Sequence, residues 1–131
     1  MSTSNQHSPA VAIARAHVEA WSSQDFDKAR SLLAPDVRVT ATTTAPYQPD
    51  TDLSGVDNYM ESLVAYAKPI VPGSLRVLNG VGDHSNALLT LTVTMAGGPF
   101  GEGADAPCAR LYPIEDGKIK TEKIVFYVAA D

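Results

Sequence analysis

Residues 114–127, IEDGKIKTEKIVFY, place the tightest constraint on the fold of this chain. Asp116–Gly117 is a dipeptide that accepts the backbone conformations of a two-residue hairpin turn, and alternating apolar and polar residues flank it. Strand candidates at 75–78, 87–95, 107–114 and 119–128 therefore follow one another, broken by NGVGDHSN, AGGPFGEGADA and EDGK. Successive hairpins build an antiparallel sheet, and one face of such a sheet must be covered.

The cover is encoded upstream. Ser8 precedes Pro9, a cap followed by proline at the first helical position. From 10 to 23 the residues Ala10, Val11, Ile13, Ala14, Val18, Ala20 and Trp21 fall on one half of a helical wheel. His17 falls near the centre of that apolar half, which predicts an imidazole pointing inward. Asp25 caps a short second helix with Phe26, Ala29 and Leu33 on its inner side, and Pro35 ends it. DVRVTATTT at 36–44 alternates as a half-buried strand. Residues 44–53, TAPYQPDTDL, read as an irregular binding loop or lid carrying Tyr47, Asp50 and Asp52. Ser54 and Asp57 resemble a capping box that opens a third helix over 56–68, with Val56, Tyr59, Met60, Leu63, Val64, Tyr66 and Ala67 on one face.

The expected fold is α+β: a curved antiparallel sheet wrapped around three N-terminal helices, cone-shaped with an internal pocket. Residues 1–8 form a flexible tail, and 9–131 form a single domain. At 131 residues the core is large enough to need no disulfide, and the single cysteine, Cys108, has no internal partner. Hydrophobic residues at 44% and charged residues at 19% indicate a globular chain. A net charge of −5 with scattered bases argues against nucleic acid and against an anionic membrane surface. No apolar run approaches the length of a membrane span, and the N-terminus lacks an apolar signal core, so a cytoplasmic location is expected. Neither metal-ligand spacing nor a cofactor-binding motif occurs, so none is expected.

Two stretches carry a family resemblance. AWSSQDFDKARSLLAPDVRV at 20–39 and ARLYPIEDGKIKTEKIVFY at 109–127 resemble the helix–cap–strand passage and the final hairpin of the NTF2-like superfamily, in its SnoaL-like and ketosteroid-isomerase-like branch. The resemblance covers nearly the whole chain after the tail. It implies a homodimer, formed through the outer face of the sheet. It also implies a range of functions, from isomerases, polyketide cyclases, epoxide hydrolases and dehydratases to proteins that only bind or associate. Ketosteroid isomerases use an Asp base and an oxyanion hole of a Tyr and a protonated Asp. Laid on this chain, those positions fall at Ala41, His17 and Ala109. Two alanines in three argue against steroid isomerisation by that route.

The candidate catalytic residues are His17, which titrates near neutral pH, and Glu122, on the strand face shared with Ile124, Phe126 and Lys120. A rim position for Glu122, beside Lys120 or solvent, is the alternative. Trp21, Tyr47, Tyr59, Leu63, Tyr66 and Phe126 are the candidate ligand-binding residues. Arg110 and Tyr112 alternate with Ala109, so if Ala109 faces the pocket they lie on the outer face as dimer contacts. The leading expectation is a small cofactor-independent enzyme acting by acid–base chemistry on a small, largely apolar metabolite, of isomerase, cyclase or dehydratase type. A non-catalytic ligand-binding or dimerisation module of the same fold is the alternative.

Overall fold

A computed structural model describes residues 8–43, 51–96 and 105–126. Tyr47, Asp50 and residues 1–7 of the expected tail lie outside them. Three helices, α1 (Pro9–Ser22), α2 (Phe26–Ser31) and α3 (Val56–Ala67), pack on a sheet of β1 (Leu33–Thr43), β2 (Thr51–Ser54), β3 (Arg76–Gly82), β4 (Asn86–Thr92), β5 (Cys108–Glu115) and β6 (Lys118–Phe126). The sheet is curved and unclosed, in the order β2-β1-β6-β5-β4-β3.

Asp116 and Gly117 both take positive φ, 54° and 73°, as the β5–β6 turn requires. Antiparallel pairing runs through β3, β4, β5 and β6. The β1–β6 pair is parallel, so the sheet is mixed rather than wholly antiparallel. No hairpin joins these two strands, and their pairing is set by how the helices carry β1 back to the sheet.

Ser8 is buried and caps α1, accepting from the Val11 amide at 3.2 Å while its hydroxyl donates to the Asp83 carbonyl. The start of α1 is thereby pinned to the β3–β4 turn. β3 runs to Gly82, into the segment expected to be a break. A Cβ on Gly82 would lie 2.3 Å from the Asn86 carbonyl oxygen and 3.1 Å from Val11, so only glycine lets strand and helix approach there. Asp25 caps α2 by accepting from the Lys28 amide. The Ser54–Asp57 capping box does not form: Gly55 is the cap residue of α3, and Ser54 is taken up as the last residue of β2. Asp52 also belongs to β2 and pairs on the surface with Arg38. Val64, expected on the buried stripe of α3, is exposed, because the helix sits with Tyr59, Met60, Leu63 and Ala67 against the sheet.

The core lies between α1, α3 and the concave face of the sheet. One apolar cluster holds Ala14, Val18 and Trp21 of α1 together with Leu89 and Leu91 of β4, Val37 and Val39 of β1, and Ile124 and Phe126 of β6.

Candidate functional site

Buried polar side chains from four elements meet inside this apolar core. His17 is wholly buried on the inner stripe of α1, as its place in the helical pattern requires. Its Nδ1 donates to the Ala29 carbonyl of α2 at 3.1 Å, and its Nε2 lies 2.9 Å from the Tyr59 hydroxyl of α3. Tyr59 donates to Glu122 Oε1 on β6. Glu122 Oε2 accepts from Arg110 Nη1 at 2.9 Å and from the Tyr112 hydroxyl, both on β5. Arg110 Nε also donates to the buried Cys108 Sγ at 3.2 Å. Arg110 and Glu122 are each 1% exposed.

The expected facing of β5 is corrected here. Arg110 and Tyr112 face inward, and the half-buried Ala109 faces the other way. A one-residue change of register exchanges the faces of a strand. Both faces of β5 carry apolar residues, with Cys108 and Ile114 on one and Ala109 and Leu111 on the other, so periodicity did not decide between them. An arginine reads as a surface residue until a buried carboxylate is known to face it. Glu122 itself lies deep in the core, while Lys120 pairs at the edge of the sheet with the exposed Asp36.

The electrostatics follow from burial. Desolvation is the largest influence on His17 and pushes the imidazole below its usual value, against the pull of the Glu122 charge and the Ala29 carbonyl. Burial opposes the Glu122 charge, but Arg110, His17 and the two phenols outweigh it and hold the carboxyl below the usual range. Burial and the neighbouring carboxylate raise both Tyr59 and Tyr112 well above the ordinary phenol. Burial also works against the charge on Arg110, yet Cys108, Glu122 and Tyr112 keep it a cation.

A neutral imidazole beside an ionised carboxylate would leave the chain of hydrogen bonds one proton short. A backbone carbonyl only accepts, so the bond to Ala29 requires hydrogen on His17 Nδ1. The contacts Nε2–Tyr59 and Tyr59–Glu122 each require a hydrogen, and the phenol owns one. With His17 neutral and Glu122 ionised, the contact between Nε2 and the phenol oxygen lacks its hydrogen. One added proton, carried either as imidazolium or as the acid of Glu122, completes every bond. The three groups can therefore take up a single proton and pass it along the chain through Tyr59.

The remaining candidates gather around Arg110. Its guanidinium carbon lies 4.9 Å from the Trp21 ring centre, 5.4 Å from that of Tyr66 and 6.0 Å from that of Phe126. Trp21 and Tyr66 meet edge to face at 5.6 Å. Burial pushes the Tyr66 phenol up to about 12, partly offset by Arg110. Leu63 is buried in the surrounding core. Among the described residues, no group of three or more His, Cys, Asp or Glu is placed to hold a metal, and no helix is long and apolar enough to cross a membrane.

A family model of the SnoaL-like domain matches residues 14–122. The chain belongs to that family. Solved structures share the fold of this SnoaL-like domain. A protein from Kribbella flavida is 26% identical, with a TM-score of 0.75 over 89% of this chain and 85% of that one. An M. tuberculosis LEH-like epoxide hydrolase is 16% identical, with a TM-score of 0.68 over 90% and 82%. An NTF-2 like protein of unknown function from Burkholderia xenovorans is 16% identical, with a TM-score of 0.73 over 94% and 86%. No curated protein matches the sequence. At such identities the likeness to these structures shows the fold.

Proposed function

We propose that this SnoaL-like protein is a small cofactor-independent enzyme that moves a proton on a compact, largely apolar carbonyl compound, in an isomerisation, cyclisation or dehydration. The observation that carries this reading is the buried His17–Tyr59–Glu122 chain, in which an imidazole and a carboxylate compete for one phenol hydrogen. Glu122 Oε1 accepts one hydrogen bond, from Tyr59, and keeps a second lone pair. It is the atom suited to take a proton from a carbon next to a carbonyl. As it does so, Tyr59 turns its own hydrogen onto His17 Nε2, and the proton is held by the chain until it is returned elsewhere on the substrate. His17 is then the store, Glu122 the acceptor and Tyr59 the relay.

The same reading has the protein working in the cytoplasm as a homodimer, without metal or cofactor. Leu88 and Val125, 40% and 43% exposed, and the half-buried Ala109 and Leu111 make the convex face of the sheet apolar enough for a second copy.

The test is deuterium wash-in at the carbon next to the carbonyl in a panel of small aryl ketones, followed by NMR. His17→Gln is expected to lower the exchange rate about a hundredfold or more. Equal rates for this variant and the parent protein would remove the enzymatic reading. One observation favours the rival reading of a non-catalytic binding or dimerisation module: His17, Tyr59, Arg110, Tyr112 and Glu122 are all at most 2% exposed. A panel that binds without exchange would select that alternative.

A further inference from the structure

Four buried side-chain polar atoms have no hydrogen-bond partner among the described residues: Trp21 Nε1, Tyr66 Oη, Arg110 Nη2 and Thr92 Oγ1. Three of them belong to side chains that touch one another, since the Arg110 guanidinium lies over both the Trp21 and the Tyr66 rings. Leaving a buried donor unpaired is costly. Three in one cluster mark a place where the fold gives up stability, as binding sites do. All three atoms can donate: indole and guanidinium nitrogens only donate, and a phenol does so readily. Arg110 spends Nη1 on Glu122 and Nε on Cys108, so Nη2 is the free end of its fork. The surroundings, Trp21, Tyr66 and Phe126, are aromatic.

We propose that Arg110 Nη2, Tyr66 Oη and Trp21 Nε1 form a recognition site for an oxygen bearing full or developing negative charge on a compact aromatic or apolar ligand. The site takes a carboxylate, or a carbonyl oxygen as it becomes an enolate. A neutral amide binds more weakly, because its carbonyl oxygen can accept but carries no full charge and its NH2 finds only other donors. The inference deepens the proposed proton transfer by naming what holds the oxygen. It rests, however, on donors outside the His17–Tyr59–Glu122 chain, so it also stands for a protein that only binds.

The experiment compares 2-naphthoate, 2-naphthamide and 2-acetonaphthone by calorimetry, with benzoate and acetate as smaller carboxylates. The carboxylate is expected to bind at least about tenfold more tightly than the amide. Tyr66→Phe removes one donor and keeps the ring, and Trp21→Phe removes another while leaving a smaller aromatic ring. Each is expected to weaken naphthoate about fivefold and to weaken the amide less. Tyr66→Phe should melt close to the parent, because the hydroxyl makes no full hydrogen bond in the fold, and this shows that the fold survives. Exchange of the acetyl protons of 2-acetonaphthone, slowed in both variants, identifies the enolate as the oxygen recognised. Carboxylate binding without such exchange identifies the carboxylate, and then the proton-transfer reading falls while the site stands. The inference is overturned if no carboxylate of the series binds at millimolar concentration, if naphthoate and naphthamide bind alike, or if both variants keep full affinity for naphthoate.

Discussion

Two sets of ion pairs in this protein use the same residue types to opposite effect. At the sheet edges, Arg38 pairs with Asp52 through two hydrogen bonds of 3.0 and 2.7 Å, and Lys120 pairs with Asp36 at 2.8 Å. These side chains are in contact with water, and breaking such a pair returns both charges to solvent. In the core, Arg110 and Glu122 sit at 2.9 Å with no water to fall back on. Removing one partner there strands a charge in a medium that cannot solvate it. The pairs differ little in distance, so the surroundings decide what each is worth.

That comparison can be broken most directly at Glu122. Glu122→Gln leaves the guanidinium without a counter-charge and is expected to cost about 3–5 kcal/mol of unfolding free energy in urea titrations. The double variant Arg110→Met/Glu122→Met removes both charges and should recover part of that loss. A double variant weaker than the single one would mean that the charge itself was not the problem.

The next effect is on the pH dependence of stability. His17 has a lower pKa in the fold than in the unfolded chain, so the unfolded chain binds more protons below about 6.5. Glu122, also lowered in the fold, adds a second step of the same sign below about 4.3. The melting temperature is therefore highest above the first window and falls as pH is lowered through each. His17→Gln should abolish the first fall and keep the second. A melting temperature that rises as pH drops from 7.5 to 6 would show His17 charged in the fold, and with it a chain already holding its extra proton.

The smallest effect belongs to the rim. Arg38→Ala is expected to leave the melting temperature unchanged within error at physiological salt, where exposed pairs are screened. A drop comparable to that of Glu122→Gln would erase the contrast between the two regions.

How much of this was legible beforehand depends on the kind of signal. Helical periodicity turned His17 inward correctly, because an apolar stripe as clear as that of α1 leaves a residue at its centre only one side to face. Glu122 was placed on the Ile124–Phe126 face by simple alternation. Arg110 and Tyr112 were assigned to the wrong side, because β5 is apolar on both faces and its parity has to be read against a neighbour. The α3 cap went to Gly55 rather than Ser54, because β2 claimed Ser54 for pairing opposite Arg38. The β3 strand ran on to Gly82, because the approach of α1 rewards a glycine there that would otherwise signal a turn.

The sequence by itself determined what is local: where the helices start, where Asp116–Gly117 turns the chain, and which way the first helix faces. Those follow from capping chemistry, backbone conformation and periodicity within a few residues. The tertiary structure alone decided which side of β5 is inside, that β1 runs parallel to β6, and that an arginine, a glutamate, two tyrosines and a histidine share one buried network. Each depends on partners far apart in the chain, and a charge can be buried only where such a partner has been brought to meet it.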